Sequence, residues 1–295
     1  MEKKEIILAG KIAQDVKEWI KPQIKKGVPL LEIAEKIEKK IIELKGKPAF
    51  PTNLSINEIA AHYTPFHNDE TLASGLLKVD LGVHVNGFVS DTSFSLDLEN
   101  SEENKKLIEA SKKALENAKK TIEKGIQINK IGKVIQNTIE SYGFSPIINL
   151  SGHQIEQYNL HAGLTIPNID DKRTTEITAG LYAIEPFATN GYGKIKDGKP
   201  SGIYSLINHK NIRNNDARKI LEYIIEEYNQ LPFCSRWIVN VFGTRALISL
   251  SQLEQNGNLH QYAQLVEVGK GIVSQAEDTI LIEENGNKII TTSKD

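Results

Sequence analysis

Apolar residues recur every three or four positions in four stretches of the chain, which is the spacing of one buried helix face. The first stretch places on one face the residues Ile6, Ala9, Ala13, Val16 and Ile20. The other three stretches predict helices from Leu30 to Leu44, from an N-cap at Ser101 to about Gly125, and from Asn129 to Tyr142. Gly143 follows the last of these as its C-terminal cap.

Strand patterns occupy the segments between the predicted helices. Residues 78–95 read as two strands separated by Asn86-Gly87, the dipeptide most typical of a two-residue hairpin turn. A second pair of strands, Gly271 to Glu284 and Lys288 to Thr292, is joined by Asn285-Gly286. Helices combined with antiparallel hairpins, rather than a βαβ repeat, predict a mixed α/β (α+β) architecture.

The pattern changes between about Thr189 and Gln264. Residues Asn190 to Gly202 are polar and contain glycine, which predicts a loop, and residues Asp216 to Gln230 predict a helix. We therefore predict one domain over residues 1–295, with a mostly helical subdomain inserted at about residues 190–264.

Composition and charge narrow the classes of partner. The chain has 36 basic and 38 acidic residues and a net charge of −2, so it has no general attraction to nucleic acid or anionic membranes. No apolar run approaches the roughly 20 residues that span a bilayer, and the start of the chain lacks the apolar core of a signal peptide. The single cysteine, Cys234, excludes an internal disulfide and a cysteine-based zinc site. We predict a cytoplasmic protein with no membrane partner and no specific nucleic acid.

Two aspartates occupy strand positions where an acidic side chain is unfavourable. Asp80 and Asp91 lie in otherwise apolar segments of the predicted hairpin. With a two-residue turn at Asn86-Gly87, Asp91 faces Gly82 and Asp80 faces Ser93, so the two aspartates are diagonal neighbours on one face. Two such carboxylates repel each other unless a proton or a cation lies between them. The alternative is a face that carries two solvated acids.

Three further side chains are unusual in their settings. His153 follows a glycine in SGHQIEQYNLHAG, Glu185 lies in the apolar LYAIEPFAT, and Glu277 lies in GIVSQAEDTILIEE. Each alone is more simply an ordinary core or surface residue, but with the two aspartates they supply four carboxylates and one imidazole. That donor set suits two hydrolytic divalent ions, such as Co, Mn, Fe or Zn, about 3.5–4 Å apart.

The motifs resemble those of the type II methionine aminopeptidases, the archaeal and eukaryotic class. The resemblance covers essentially the whole chain and is strongest in KPAFPTNLSINEIAAHYTP (47–65), DLGVHVNGFVSDT (80–92), SGHQIEQYNLHAG (151–163) and YAIEPFAT (182–189). It implies a pita-bread fold, in which two pseudo-symmetric α/β halves surround a metal site, with the extra subdomain of type II at the insertion. It also implies a monomeric, metal-dependent exopeptidase that removes the N-terminal methionine of nascent chains when the second residue is small.

The resemblance also implies the site residues. It gives as metal ligands Asp80, Asp91, His153, Glu185 and Glu277. Asp91 and Glu277 would bridge two divalent ions, Asp80 would complete one site, and His153 and Glu185 would complete the other.

The resemblance also implies catalytic and substrate-binding residues. Glu185, besides being a ligand, would take up a proton in catalysis, and the other residues are not metal ligands. His62 and His161 match the two active-site histidines that contact the substrate and assist the reaction. Phe50 and Tyr262 match the lining of the pocket for the methionine side chain. For an isolated histidine such as His62, a buried core role would be the simpler interpretation, and its place in the matched motif reverses that preference.

One motif departs from the family pattern, at both neighbours of its glutamate, Ala276 and Asp278. The family has histidine after the last glutamate, in a pattern like QFEHT, whereas this chain has Asp278 after Glu277. The ligand is kept, and we expect the extra acid to alter metal preference or the pKa of bound water.

Two alternatives come from relatives of the same fold. A proline-directed enzyme, such as prolidase or aminopeptidase P, usually carries an additional N-terminal domain, for which this chain has no room. A non-catalytic binding relative typically loses metal ligands, whereas all five positions are filled here. The basic residues Lys210, Arg213, Arg218 and Lys219 of the predicted insertion suit ribosome contact, although a solvated helix face is the simpler interpretation.

Overall fold

A computed structural model describes residues 3–292 of the chain. The helices are α1 (Lys3–Ile20), α2 (Leu30–Glu43), α3 (Glu102–Thr121), α4 (Ile128–Ser141), α5 (Asn215–Tyr228), α6 (Ser235–Phe242) and α7 (Ala246–Gln255), and a 3-10 helix covers Lys21–Gln23. The first eight strands are β1 (Lys47–Ile56), β2 (Ile59–Ala61), β3 (Leu76–Val85), β4 (Phe88–Asp97), β5 (Ser145–Pro146), β6 (Ser151–Ile155), β7 (Thr165–Pro167) and β8 (Gly180–Ile184). The remaining strands are β9 (Phe187–Thr189), β10 (Ile195–Leu206), β11 (Phe233–Cys234), β12 (Leu259–Glu267), β13 (Val273–Gln275), β14 (Asp278–Ile282) and β15 (Lys288–Ile290).

Helix pairs and antiparallel sheets form two similar halves. In the first half, α1 and α2 pack their apolar faces on the sheet β1-β3-β4. In the second half, α3 and α4 pack against the sheets β15-β14-β8-β6-β7 and β13-β9-β5. The predicted mixed α/β architecture is therefore confirmed. The four predicted helices are present, and Ser101 caps α3 by accepting a hydrogen bond from the Asn104 amide.

The β3–β4 hairpin has the predicted register. Gly82 pairs with Asp91 and Asp80 pairs with Ser93. Asn86 and Gly87 have φ angles of 50° and 83°, the left-handed conformation that a two-residue turn of this kind requires at both positions. Both aspartates consequently project from one face of the hairpin.

Two predicted strands prove to be broken at their acidic residues. Glu185 lies between β8 and β9, and Glu277 lies between β13 and β14. Strands β8 and β14 pair in one sheet, whereas β9 and β13 pair in another. The two segments, β8–β9 and β13–β14, therefore change from one sheet to the other side by side. The breaks explain how two carboxylates are tolerated in apolar sequence, because neither acidic residue lies within a regular ladder.

The segment 190–264 contains α5, α6 and α7, which surround an apolar cluster of their own. The prediction of a loop over 190–202 was wrong for most of that segment, because β10 begins at Ile195 and pairs with β12. Irregularities at Pro200 interrupt this ladder, and its polar part is exposed, which is why the local sequence resembles a loop. Within residues 3–292, no helix has the length and apolar character needed to cross a membrane.

Candidate metal centre

The side chains predicted as metal ligands converge where the two halves meet. The β3–β4 hairpin supplies Asp80 and Asp91, strand β6 supplies His153, and the two strand breaks supply Glu185 and Glu277. Ligand atoms of Asp91, His153 and Glu277 lie within 4.8 Å of one another, and those of Asp80, Glu185 and Glu277 do likewise. Glu277 thus belongs to both groups, as a bridging carboxylate would.

The position of Glu185 can be described without an ion, and its assignment to the same ion as His153 stays a prediction. Glu185 groups with Asp80 rather than with His153. Gln275 contacts both of these carboxylates: its Nε2 donates to Glu185 Oε1 at 2.7 Å and lies 3.4 Å from Asp80 Oδ2. Gln275 is buried on β13 and was missed by the sequence analysis. Its signal was an amide among apolar strand residues two positions before Glu277.

The chemistry of this cluster suits a cation. Buried atoms without a hydrogen-bond partner in the described part of the chain include Asp80 Oδ1, Asp91 Oδ1, both carboxylate oxygens of Glu277, and His153 Nδ1. Unpaired buried acceptors are costly, and a divalent ion satisfies several at once. The donor set, four carboxylates and one imidazole, fits divalent metal.

Burial and mutual repulsion raise the carboxylate pKa values. Burial raises the pKa of Asp80 to about 7. Burial also raises the pKa values of Asp91 and Glu277 well above the usual range, and the negative charges of the neighbouring carboxylates add to it. For Glu185, burial and then the charge of Asp80 raise the pKa in the same direction. A bound cation reverses this balance, because it favours the charged carboxylates.

The histidines of the site are held neutral. Burial lowers the pKa of His153 to about 3, so its ring is available as a ligand near neutral pH. The ring of His161 lies 4.4 Å from that of His153, centroid to centroid, and burial lowers the pKa of His161 as well. A neutral ring at His161 can donate one hydrogen bond into the cavity.

His62 has a defined tautomer. Its Nδ1 lies 3.1 Å from the carbonyl oxygen of Ala263, and a carbonyl only accepts, so Nδ1 carries the proton. Burial lowers the pKa of His62 to about 4, which leaves Nε2 as an unprotonated acceptor. His62 also has a φ of 63°, a conformation that is rare for a non-glycine residue and frequent at functional sites.

A cavity of about 300 Å³ extends from the cluster. Among the residues that line it are the predicted Phe50, His62, His161 and Tyr262, together with Asp80, Asp91, His153 and Glu185. Phe50 lies against Gly82, where a Cβ atom would stand 2.3 Å from the ring, so any larger residue there would displace Phe50. The ring of Tyr262 lies 5.5 Å from that of His62. The structure therefore brings the nine predicted site residues together: eight of them line the cavity, and Glu277 lies in the ligand cluster.

Asp278 belongs to a different environment from that of its neighbour Glu277. Lys119 Nζ donates to Asp278 Oδ2, and Lys17 Nζ lies 3.7 Å from Oδ1. Burial by itself raises the pKa of Asp278, but the two lysines outweigh it and hold the pKa below its usual value. Asp278 does not line the cavity. The expected effect on metal preference stays a prediction.

Comparison with known proteins agrees with this centre. A chain from Methanocaldococcus jannaschii called methionine aminopeptidase is 47% identical, over 97% of this chain and 97% of that one. Among solved structures, a thermophilic Arx1 has a TM-score of 0.84 at 15% identity, covering 99% of this chain and 91% of that chain. Methionine aminopeptidase from Thermotoga maritima has a TM-score of 0.71 at 22% identity, covering 100% and 98%. These structures confirm the predicted pita-bread fold.

The sequence profile of metallopeptidase family M24 matches residues 4–284, nearly the whole chain. The match covers both strand breaks, the β3–β4 hairpin and the cavity. The cluster of four carboxylates and one imidazole, several of whose buried atoms have no partner, lies within the matched residues. The chain therefore belongs to metallopeptidase family M24 and binds divalent metal.

Proposed function

We propose that this chain is a methionyl aminopeptidase, which removes the N-terminal methionine from peptides and nascent proteins. The observation that carries the proposal is the convergence of five candidate metal-ligand side chains, four of which line a partly apolar cavity. The methionine aminopeptidase name of archaeal relatives at 46% and 47% identity over nearly the full chain supports it.

The cofactor in this proposal is a pair of divalent ions, Co, Mn, Fe or Zn. Asp80, Asp91, His153, Glu185 and Glu277 would hold them. When bound, such ions lower the pKa of a water molecule toward neutrality and polarise a carbonyl group. The unpaired oxygens of Glu277, which belongs to both ligand groups, support a bridging role.

Three residues of the chain would handle protons and charge. Glu185 lines the cavity and belongs to the carboxylate cluster, a position that suits a base that takes up the proton of the attacking water. His161, neutral and facing the same cavity, would donate a hydrogen bond to the carbonyl oxygen as negative charge develops on it. His62 would accept the N–H of the scissile amide at Nε2 and help to position the leaving amine.

The cavity would select the first residue. Phe50, Leu160 and Ile203 provide apolar surface along its wall, and Phe50 packs closely on Gly82. An unbranched thioether side chain adapts to such a surface. Tyr262 lies at the same cavity beside His62 and would contact the substrate there. A small second residue would fit best, as the family resemblance implies.

The finer features of the proposal concern the cellular context. The enzyme would act as a monomer in the cytoplasm on nascent chains. Residues 190–264 would form the type II insertion of the single catalytic domain 1–295. Ribosome contact through its basic residues stays a prediction.

The test is the release of free methionine from Met-Ala-Ser. Chelated protein is re-supplied with cobalt or manganese and compared with Asp91→Ala and with Asp15→Ala, an exposed acid on α1. We expect metal-dependent release by the unaltered protein and by Asp15→Ala, and none by Asp91→Ala. Folded protein that releases no methionine with any divalent metal would point to the non-catalytic relative. Faster cleavage of Xaa-Pro dipeptides would point to the proline-directed one.

A further inference from the structure

Asn53 carries a buried acceptor that the mechanism above does not use. It lies on β1, is 5% exposed and lines the cavity. Its Nδ2 donates to the Pro51 carbonyl at 2.8 Å, whereas its Oδ1 is buried and has no hydrogen-bond partner within residues 3–292. Because the Pro51 carbonyl can only accept, the orientation of the amide is fixed, and the oxygen is the free atom.

An irregularity in β1 brings Asn53 to the site. Phe50 pairs with Gly82 and Asn53 pairs with Asp80, and the register shifts between these two pairs. In a regular strand, residues three apart point to opposite faces. One extra residue places both Phe50 and Asn53 on the face of Gly82 and Asp80, which are themselves two apart on β3.

The bulge is held by a buried ion pair. The Thr52 amide, within the bulge, donates to Glu38 Oε1 at 3.3 Å. Arg236 on α6 binds the same carboxylate through both terminal nitrogens, at 2.7 and 2.8 Å. The ion pair thus provides the hydrogen-bond acceptor that the strand amide lacks at the bulge. Side chains from distant parts of the sequence therefore stabilise the irregular conformation of β1.

The unpaired acceptors beside each other indicate the kind of ligand. Asn53 faces Asp80, and opposed residues in an antiparallel pair have Cβ atoms about 5 Å apart. Asp80 Oδ1 is also unpaired. Asp80 belongs to the candidate metal cluster, and the amide oxygen of Asn53 only accepts, so the missing partner of Asn53 is a hydrogen-bond donor that lies beside that cluster.

The free amino terminus of a peptide is such a group. A first residue whose side chain packs on Phe50 carries its amine on the adjacent Cα atom, and Asn53 and Asp80 lie next along the same face. We propose that Asn53 Oδ1 accepts a hydrogen bond from the N-terminal amine of the substrate and thereby contributes to selection for a free amino terminus. The inference rests on the proposed aminopeptidase function and adds a substrate-binding residue to it.

The test compares two ligands that differ only in the amine. The metal-loaded protein is titrated with L-methionine and with its des-amino analogue, 4-(methylthio)butanoate, by calorimetry. Asn53→Leu removes the acceptor and keeps the size and branching of the side chain. We expect it to weaken methionine binding about tenfold and the binding of the analogue less than about twofold. We also expect it to raise the KM for Met-Ala-Ser about tenfold and to leave kcat nearly unchanged.

Asn129→Leu is the matched control. Asn129 on α4 is also buried, donates through Nδ2 to Asp170, and has an unpaired Oδ1, but it does not line the cavity. It should leave the binding of both ligands as in the unaltered protein. If Asn53→Leu does not fold, Asn53→Ala is measured instead, and thermal unfolding checks each variant.

Two results overturn the inference. One is an equal weakening of the binding of both ligands, which would mean that Asn53 maintains the shape of the cavity or supports the metal site. The other is an unchanged KM and unchanged methionine binding. Failure of the unaltered protein to release methionine would instead refute the proposed function, so the two failures are distinguishable.

Discussion

Replacing Arg236 by leucine should destabilise the protein by about 3–5 kcal/mol, because it leaves the Glu38 carboxylate buried without a counter-charge. Arg236 is 1% exposed and Glu38 is 7% exposed. The carboxylate accepts four hydrogen bonds, two from Arg236, one from the indole of Trp237 and one from the Thr52 amide. The substitution removes two of the four donors together with the positive charge.

The double variant Glu38→Leu, Arg236→Leu separates charge from packing. It removes both charged side chains. The Thr52 amide is left without a hydrogen-bond partner, which costs about 1–3 kcal/mol of stability. The Trp237 indole is less affected, because that side chain is partly exposed and reaches water. We therefore expect the double variant to be more stable than Arg236→Leu alone, by about 2 kcal/mol.

Thermal unfolding of the three proteins measures these differences. For a chain of this size, about 3–5 kcal/mol corresponds to a fall in Tm of about 6–10 °C. Arg213→Leu, at an exposed position of the same region, is the control and should leave Tm unchanged. A fall of less than about 2 °C for Arg236→Leu, or a double variant less stable than the single one, would refute the reasoning. At temperatures where Arg236→Leu is folded, loosening of the bulge should raise the KM for Met-Ala-Ser.

Three further predictions concern the site and the residues behind it. Removing metal should make stability fall as pH rises: burial raises the pKa of Asp80 from 3.8 to about 7 in the folded protein, so the unfolded chain loses this proton first and the free energy of unfolding falls between about pH 4 and pH 7. Tm of chelated protein at pH 5 and pH 8 measures it, and a Tm that rises with pH would contradict it. Asp278→Asn should cost about 3 kcal/mol, because the lysines Lys17 and Lys119 lose their counter-charge; chemical denaturation gives this value, and a loss of less than about 1 kcal/mol would contradict it. His161→Ala should lower kcat for Met-Ala-Ser about 10²–10³-fold with little change in KM, and a change confined to KM would assign His161 to ground-state binding instead.

Local sequence was sufficient for several parts of this protein. The helix pairs follow from apolar periodicity, and Ser101 marks the start of α3 as expected. The Asn86-Gly87 turn fixed the register of β3 and β4, and with it the placement of Asp80 and Asp91 on one face. These features depend on residues that are close in the chain, so a pattern of a few positions contains the information.

Only the tertiary structure decided the features that depend on distant partners. Glu185 and Glu277 lie at strand breaks where two segments of the chain change from one sheet to another side by side. The sequence of either segment alone does not show this break. Strand β10 forms because β12 is available to pair with it, although its sequence resembles a loop. The bulge in β1 requires Glu38 from α2 and Arg236 from α6, far apart in the chain. Such elements are stabilised by hydrogen bonds and ion pairs between residues far apart in the sequence, and these interactions outweigh the local preference for helix, strand or loop. The local pattern of apolar and polar residues therefore does not predict them.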